Sequence, residues 1–277
     1  DDVKRFIAQK DLDSKTRYIP KKVIPSNRGE FKNKIAIIGG GPAGLSCAYY
    51  LALTGYRPTV FEKNEKPGGM LTYGIPSYKL EKDVVEAEID IIRALGVEIK
   101  CGVEVGKDIT LDELRKDGYE AFYIAIGCQG SRKSGFDGED ADGVMSAVDI
   151  LHEIAENHDL DLKGNKTVVI GGGNVAVDVA RSTKRCGADV LGMFCLESRE
   201  EMPASEEEIF ETEDEGIQIN NGWGVKEILA ENGKVTGVVL KKCTSVKDAN
   251  GKFNPKYDEN DTKTIECDRI YLSIGQS

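Results

Sequence analysis

The stretch Ile35-Ala36-Ile37-Ile38-Gly39-Gly40-Gly41-Pro42-Ala43-Gly44-Leu45 decides the fold. A short apolar run predicts a buried strand, and Gly39, Gly41 and Gly44 follow it in the spacing GxGxxG, directly before a helical pattern. In such a turn the first glycine bends the chain. The second lets backbone amides approach a diphosphate, and the third lets helix and strand pack closely. Glu62 ends the next apolar run, 21 residues after Gly41, where an acid can accept hydrogen bonds from a ribose diol.

The pattern recurs. Lys166 to Ile170 leads into Gly171, Gly173 and Ala176, and 132 positions separate Gly39 from Gly171. In each copy 14 residues separate the middle glycine from the glycine closing the next helix, Gly55 or Gly187. Alanine in the third place is small enough for the same helix packing. Two strand-turn-helix-strand units predict an α/β protein with two Rossmann-like dinucleotide-binding domains, each a three-layer arrangement around a mainly parallel sheet. The predicted boundaries are 1–33 for an N-terminal helix and extended linker containing Pro20 and Pro25, 34–150 for the first domain and 151–277 for the second.

Between the repeats, Leu80 to Leu95 has helical periodicity, while Val97 to Cys101 and Ala121 to Ile126 read as strands, the last ending at Gly127. Residues 217 to 247 and 262 to 274 alternate apolar and polar around turns, which predicts an antiparallel meander attached to the second domain.

Bulk properties narrow the function classes. The 277 residues carry a net charge of −11 with scattered basic residues, so a nucleic-acid partner is not expected. No apolar run reaches the roughly 18 residues that cross a bilayer, and the charged opening lacks a secretory signal, so no membrane is expected and the cytoplasm is the expected compartment. Seven cysteines form no CxxC pair, which suggests free thiols, and with two histidines no metal site is expected.

The motifs GGGPAG (39–44), FEKNEKPGGMLTYGIP (61–76) with Lys79, GGGNVAVDVAR (171–181), SREEMPA (198–204) and YLSIGQ (271–276) together resemble the small, beta-type subunit of glutamate synthase. Its relatives include the flavin portion of dihydropyrimidine dehydrogenase and the ferredoxin-coupled transhydrogenases. The resemblance runs in order along residues 1–277. It implies a flavoprotein oxidoreductase that passes hydride from NAD(P)H to FAD and electrons onward to an iron–sulfur or other partner. Gly39, Gly41, Pro42, Ala43, Gly44, Glu62 and Lys63 would hold the adenosine and diphosphate of FAD. Gly68, Gly69, Met70, Tyr73, Ile75, Pro76 and Gly127 would lie by the flavin, and Gly171, Gly173, Asn174, Val175 and Ala176 would receive the nicotinamide dinucleotide. No side chain is singled out as catalytic, because hydride passes directly between stacked rings.

Three departures matter. Leu196 and Glu197 stand where many relatives place an arginine pair for the 2'-phosphate of NADP. A carboxylate there repels that phosphate and accepts from a free ribose hydroxyl, so NADH is expected, with Arg199 left nearby as a contact for NADPH. The relatives' flavin domain resumes after the nicotinamide domain, and this chain reaches Ser277 first, so the flavin domain is expected to be incomplete. Relatives also carry an iron–sulfur domain upstream, and the opening DDVKRFIAQK resembles the helix leaving it. Competing readings are a non-catalytic dinucleotide-binding module and a flavin monooxygenase-like enzyme; a disulfide reductase would need a cysteine pair that the sequence lacks.

Overall fold

A computed structural model describes residues 2–24, 29–130 and 133–275. Pro25 and Gln276 lie outside the described residues. Backbone contacts divide the chain into two compact units, Asp1–Gly127 and Cys128–Ser277.

The first unit begins with α1 (Asp2–Leu12), which buries no residue. The segment after it is extended but docked. Arg17 reaches Asp11 at 2.5 Å and Glu88 at 2.7 Å, Val23 N donates to Leu53 O, and Phe31 stacks on Tyr56 with ring centroids 4.3 Å apart. Then come β1 (Lys34–Ile38), α2 (Pro42–Leu53), β2 (Arg57–Glu62), α3 (Met70–Tyr73), α4 (Lys82–Ala94), β3 (Glu98–Cys101), α5 (Leu111–Lys116) and β4 (Tyr119–Ile124). The sheet has the order β3-β2-β1-β4 with all pairs parallel. β1 is apolar because it is central and covered on both faces, with Ala36 and Ile37 fully buried. The last strand runs Tyr119–Ile124, starting and ending two residues before the predicted Ala121 to Ile126; Tyr123 and Ile124 are exposed on it, and Ile126 is exposed beyond it.

The second unit contains β5 (Val144–Ser146), α6 (Ala147–Glu156), β6 (Lys166–Ile170), α7 (Asn174–Arg185), β7 (Asp189–Cys195), α8 (Glu206–Asp214), β8 (Ile219–Asn221), β9 (Trp223–Glu231), β10 (Lys234–Lys247), β11 (Phe253–Glu266) and β12 (Arg269–Leu272). Its parallel sheet runs β5-β12-β6-β7-β8, and β9, β10 and β11 form a separate antiparallel sheet. The predicted meander is therefore trimmed at both ends, since β8 and β12 join the parallel sheet. Inside it, β11 extends through polar residues 253–261 that gave no alternating signal. One cluster, including Val168, Ile170, Ile270 and Leu272 with Val225, Val238 and Leu240, joins the two sheets. The sequence placed the division between units at 150/151, whereas the contacts place it at 127/128. The reason is β5, which pairs in parallel with β12, a strand 123 to 128 residues further along the chain.

The two repeats agree in length. α2 and α7 each have 12 residues, and each is followed closely by a glycine with φ +96°. Among the described residues no helix is long and apolar enough to cross a membrane, and no cluster of histidine, cysteine and carboxylate side chains is arranged to hold a metal ion.

Candidate functional site

In the first unit the turn after β1 carries three glycines with different constraints. Gly39 has φ +107°, and a Cβ there would lie 2.3 Å from Ala125 O; a Cβ on Gly44 would lie 2.0 Å from Gly39 O. The fold itself therefore requires glycine at both positions. At Gly41 the backbone is extended, with φ −76° and ψ −178°, and the nearest atom to an added Cβ is Gly69 Cα at 3.8 Å. Neither backbone strain nor crowding demands glycine there. Gly41 caps α2 without a side chain, and Pro42 and Ala43, both exposed, open the helix. Proline suits this first position because its missing N–H would have no partner in the helix.

Glu62, at the end of β2, is buried, and its two carboxylate oxygens take separate backbone donors: Gly40 N at 2.7 Å and Asn64 N at 2.9 Å. The acid therefore fastens the glycine turn to the strand tip before any ligand arrives, and a carboxylate's remaining lone pairs are what a ribose could use. Gly68 N donates to Gly40 O at 2.8 Å, and a Cβ on Gly69 would meet Gly41 Cα at 2.9 Å, so the 67–69 loop closes against the turn. Thus Gly39, Gly41, Gly44, Glu62, Gly68 and Gly69 are brought together.

The rest of that predicted set is placed less directly. Tyr73 and Pro76 are buried, Tyr73 Oη accepts from Lys66 N at 2.9 Å, and Met70 and Ile75 are half-buried. The Lys82 ammonium donates to the carbonyls of Leu71, at 2.9 Å, and Ile75, which holds this segment in place. Burial pulls the Lys82 pKa down. Lys63 is exposed beyond β2 and Gly127 is exposed beyond β4. An apolar hollow of about 450 Å³ in this unit runs along α2 and α4, lined by Pro42, Leu45, Tyr49, Leu80 and Ile92 among others, and none of the turn glycines lines it.

In the second unit Gly171 has φ +143°, and its Cβ would lie 2.6 Å from Ser273 O, so glycine is again obligatory. Ala176 is fully buried. Gly173 has φ −95° and ψ 174°, and no atom lies within 4 Å of an added Cβ. Beside it opens a cleft of about 400 Å³, lined by Gly173, Asn174, Val175, Ser146, Pro203 and Ser273 among others. Two helices, α6 with N-cap Ser146 and α7 with N-cap Gly173, begin at this cleft. Helix N-termini carry unpaired amides and partial positive charge, which suits a diphosphate. The buried Ser273 hydroxyl has no hydrogen-bond partner among the described residues. Val175 is 41% exposed. Asn174 Oδ1 accepts from Ser205 N at 3.0 Å and so ties α7 to the start of α8.

The strand-end position matching Glu62 is Cys195, because Ile170 pairs with Phe194 as Ile38 pairs with Phe61. The buried Cys195 thiol is pushed up to about 12, first by burial and then by the nearby Glu197 carboxylate. Glu197, two residues beyond the strand, is half-buried, and its Oε2 lies 3.0 Å from where a Gly172 Cβ would be; Glu62 Oε2 holds the same 3.0 Å relation to Gly40. Leu196 packs against the antiparallel sheet, its Cδ2 lying 2.8 Å from where a Gly224 Cβ would be. Arg199 is exposed and paired with Glu213 at 2.9 Å. Sequence reasoning missed Asn64, Ser146, Cys195 and Ser273, which reach these sites through turns and strand register that leave no periodic signal.

Comparison with known proteins gives a consistent picture. The pattern described as "Pyridine nucleotide-disulphide oxidoreductase" matches residues 33–277. The chain is 40% identical over 250 residues to the NADP(+)-dependent formate dehydrogenase subunit beta of Moorella thermoacetica, covering 88% of this chain and 35% of that one. It is 36% identical to the NADPH-Fe(3+) oxidoreductase subunit beta of Geobacter sulfurreducens, covering 88% and 37%. Against the glutamate synthase [NADPH] small chain of Escherichia coli it is 34% identical, covering 87% and 54%. The chain thus spans between about a third and about half of the length of these relatives. Among solved structures, FprA of Mycobacterium tuberculosis in complex with NADPH has a TM-score of 0.73 at 20% identity, covering 88% of this chain and 71% of that one. Thioredoxin reductase of T. acidophilum has 0.62 at 22%, covering 88% and 78%. These two likenesses establish the fold, and the relatives at 34–40% identity agree with the resemblance carried by the motifs.

Proposed function

The chain belongs to the pyridine nucleotide-disulphide oxidoreductase family, and on that premise we propose that it is a flavoprotein oxidoreductase passing hydride from a nicotinamide dinucleotide to FAD and electrons onward to an iron–sulfur or other redox partner. The observation that carries this reading is the uneven demand for glycine. In each turn the flanking positions are crowded, whereas Gly41 and Gly173 face room that only a bound group needs. FAD, when bound, supplies the capacity to accept a hydride and release electrons singly. The protein's part is to hold and orient. Amides at the starts of α2 and α7 receive the two diphosphates, Glu62 receives the FAD ribose, and the cleft beside Gly173 receives the nicotinamide dinucleotide. All seven cysteines are free, so disulfide chemistry has no pair to use.

For the coenzyme, the reading is NADH ahead of NADPH, although the relatives above are named for NADP(H). The Glu197 carboxylate stands at the strand tip where a 2'-phosphate would need a cation, and Arg199 is neutralised by Glu213. The partners and final acceptor belong to the whole protein; an iron–sulfur domain or subunit fits the beta-subunit relatives.

The test is optical. Purified protein reconstituted with FAD should be yellow and bleach anaerobically on adding NADH, more readily than with NADPH. Protein that binds NADH but retains no flavin would contradict the oxidoreductase reading, and a clear NADPH preference would reject the role of Glu197.

A further inference from the structure

Glu197 sits beyond the last residue of β7, where a chain leaving a sheet is ordinarily free to wander. Here it is held. Its carbonyl oxygen accepts from Gly222 N at 3.1 Å and from Asn221 Nδ2 at 3.1 Å, while the Cys195 thiol approaches the same oxygen at 3.8 Å. Asn221 Nδ2 also lies 3.3 Å from Cys195 Sγ. Asn221 is the last residue of β8 and is paired in register with Cys195. Its amide therefore bridges two acceptors two residues apart and continues the β7–β8 attachment past the end of the ladder. Only a side chain with a donor at this reach can do so, because both groups facing it, the Cys195 sulfur and the Glu197 carbonyl, act as its acceptors. The outcome is geometric: Glu197 Oε2 comes to lie against Gly172 as Glu62 Oε2 lies against Gly40, although Glu197 starts two positions further from its strand.

We infer that Asn221 is a positioning residue for coenzyme selection: its side-chain amide fixes the turn that presents Glu197 to the adenosine ribose of a nicotinamide dinucleotide lacking a 2'-phosphate. The inference rests on the coenzyme reading of Glu197 given above. Asn221 itself touches no coenzyme. With the amide gone, one backbone donor, Gly222 N, still holds the turn, so the carboxylate shifts without being lost. The effect falls on the choice between coenzymes, leaving the diphosphate contacts at Gly173 intact.

The experiment titrates the full chain with NADH and with NADPH by the fluorescence of the reduced nicotinamide, so that no turnover is required. Four proteins are compared: the parent, Asn221→Leu, Glu197→Gln and the double variant. Removing the carboxylate should cut the NADH-over-NADPH affinity ratio by about 30-fold, and removing the amide by about 5-fold, the scale of a charged and of a neutral hydrogen bond. Asn221→Leu should act mainly by weakening NADH, and it should change the ratio by less than about 2-fold once Glu197 is already Gln, because the two act as one unit. If Glu197→Gln shifts the ratio and Asn221→Leu does not, the positioning role is wrong while the coenzyme reading stands. Equal weakening of both coenzymes by Asn221→Leu would reduce Asn221 to a structural residue and overturn the inference. An unchanged ratio in Glu197→Gln would remove the coenzyme reading and this inference with it.

Discussion

In the first unit the amide of Gly40 donates to a carboxylate at the very end of β2, whereas in the second the matching strand-end residue is Cys195 and the nearby carboxylate comes from Glu197. The backbone around the two turns is otherwise alike. Gly39 N and Gly171 N donate to Phe61 O and Phe194 O at 2.8 and 2.9 Å, and the carbonyls of Gly40 and Gly172 accept from Gly68 N and Ala204 N at 2.8 and 3.1 Å. The contrast separates two jobs that a strand-tip acid can do. Each Glu62 oxygen already accepts a backbone amide of the fold, so only its remaining lone pairs are left for a ligand. The Glu197 carboxylate takes no hydrogen bond among the described residues and stays available to a ligand, and the clamping is done on its backbone instead. The segments that succeed the second strand of each repeat differ too. The 67–69 loop of the first unit leads into the four-residue α3, while in the second α7 is fastened to α8 by Asn174 and by Arg181, a buried cation facing Glu208, Glu211 and Glu215.

The sharpest way to break this comparison is at Arg181. Arg181→Leu removes the buried cation that faces Glu208, Glu211 and Glu215, of which Glu215 still keeps Arg185, and the loss in the second unit should be about 3 kcal/mol by urea unfolding, with the first unit little affected. That tie should also titrate. Burial alone would raise the Glu215 pKa, but hydrogen bonds from Arg185 and Arg181 outweigh it and hold the carboxyl below the ordinary glutamate range. A lowered folded-state pKa contributes stability that is present above the unfolded value and lost as pH falls through the folded one. The second unit should therefore lose stability on the acid side of the glutamate range, and Arg181→Leu should flatten that limb.

Next in size is the third glycine position. Gly44→Ala forces a Cβ to within 2.0 Å of Gly39 O and should cost the first unit about 2 kcal/mol. Its mirror, Ala176→Gly, should cost the second about 1 kcal/mol through backbone entropy. Smaller still, Glu62→Gln should cost about 1 kcal/mol by losing one of its two amide partners, and Glu197→Gln less than about 0.5 kcal/mol. Equal losses for the two acids would erase the distinction drawn between them.

Much of this was legible in the sequence, for a physical reason. Strand, glycine turn and helix are local, so the apolar run, the GxGxxG spacing and the helix-closing glycines carry both turns and both 12-residue helices. What depends on register was not. Leu191 is an extra residue on β7, opposite the step between Thr167 and Val168 of β6, so a count of 21 from Gly173 ends on Phe194 and the strand-end slot falls to Cys195. The capture of β5 and β12 by the same parallel sheet spans more than 120 residues and left no local mark, which is why the unit boundary was read too late. The polar part of β11 is stabilised by its pairing with β10 and has no buried face to write an alternation. Arg181 reads as a surface residue of a helix until α8 folds over it.

The proposed dinucleotide binding at these turns rests above all on the middle glycine, and Gly173→Ala tests it most directly. Its extended backbone and the open space beside it accept alanine, so equilibrium unfolding should show unchanged or slightly raised stability, by up to about 1 kcal/mol. Titration of the same protein with NADH should show affinity lower by at least about tenfold, because the new methyl group takes the room reserved for the diphosphate. Unaltered NADH affinity in a stably folded Gly173→Ala protein would contradict it.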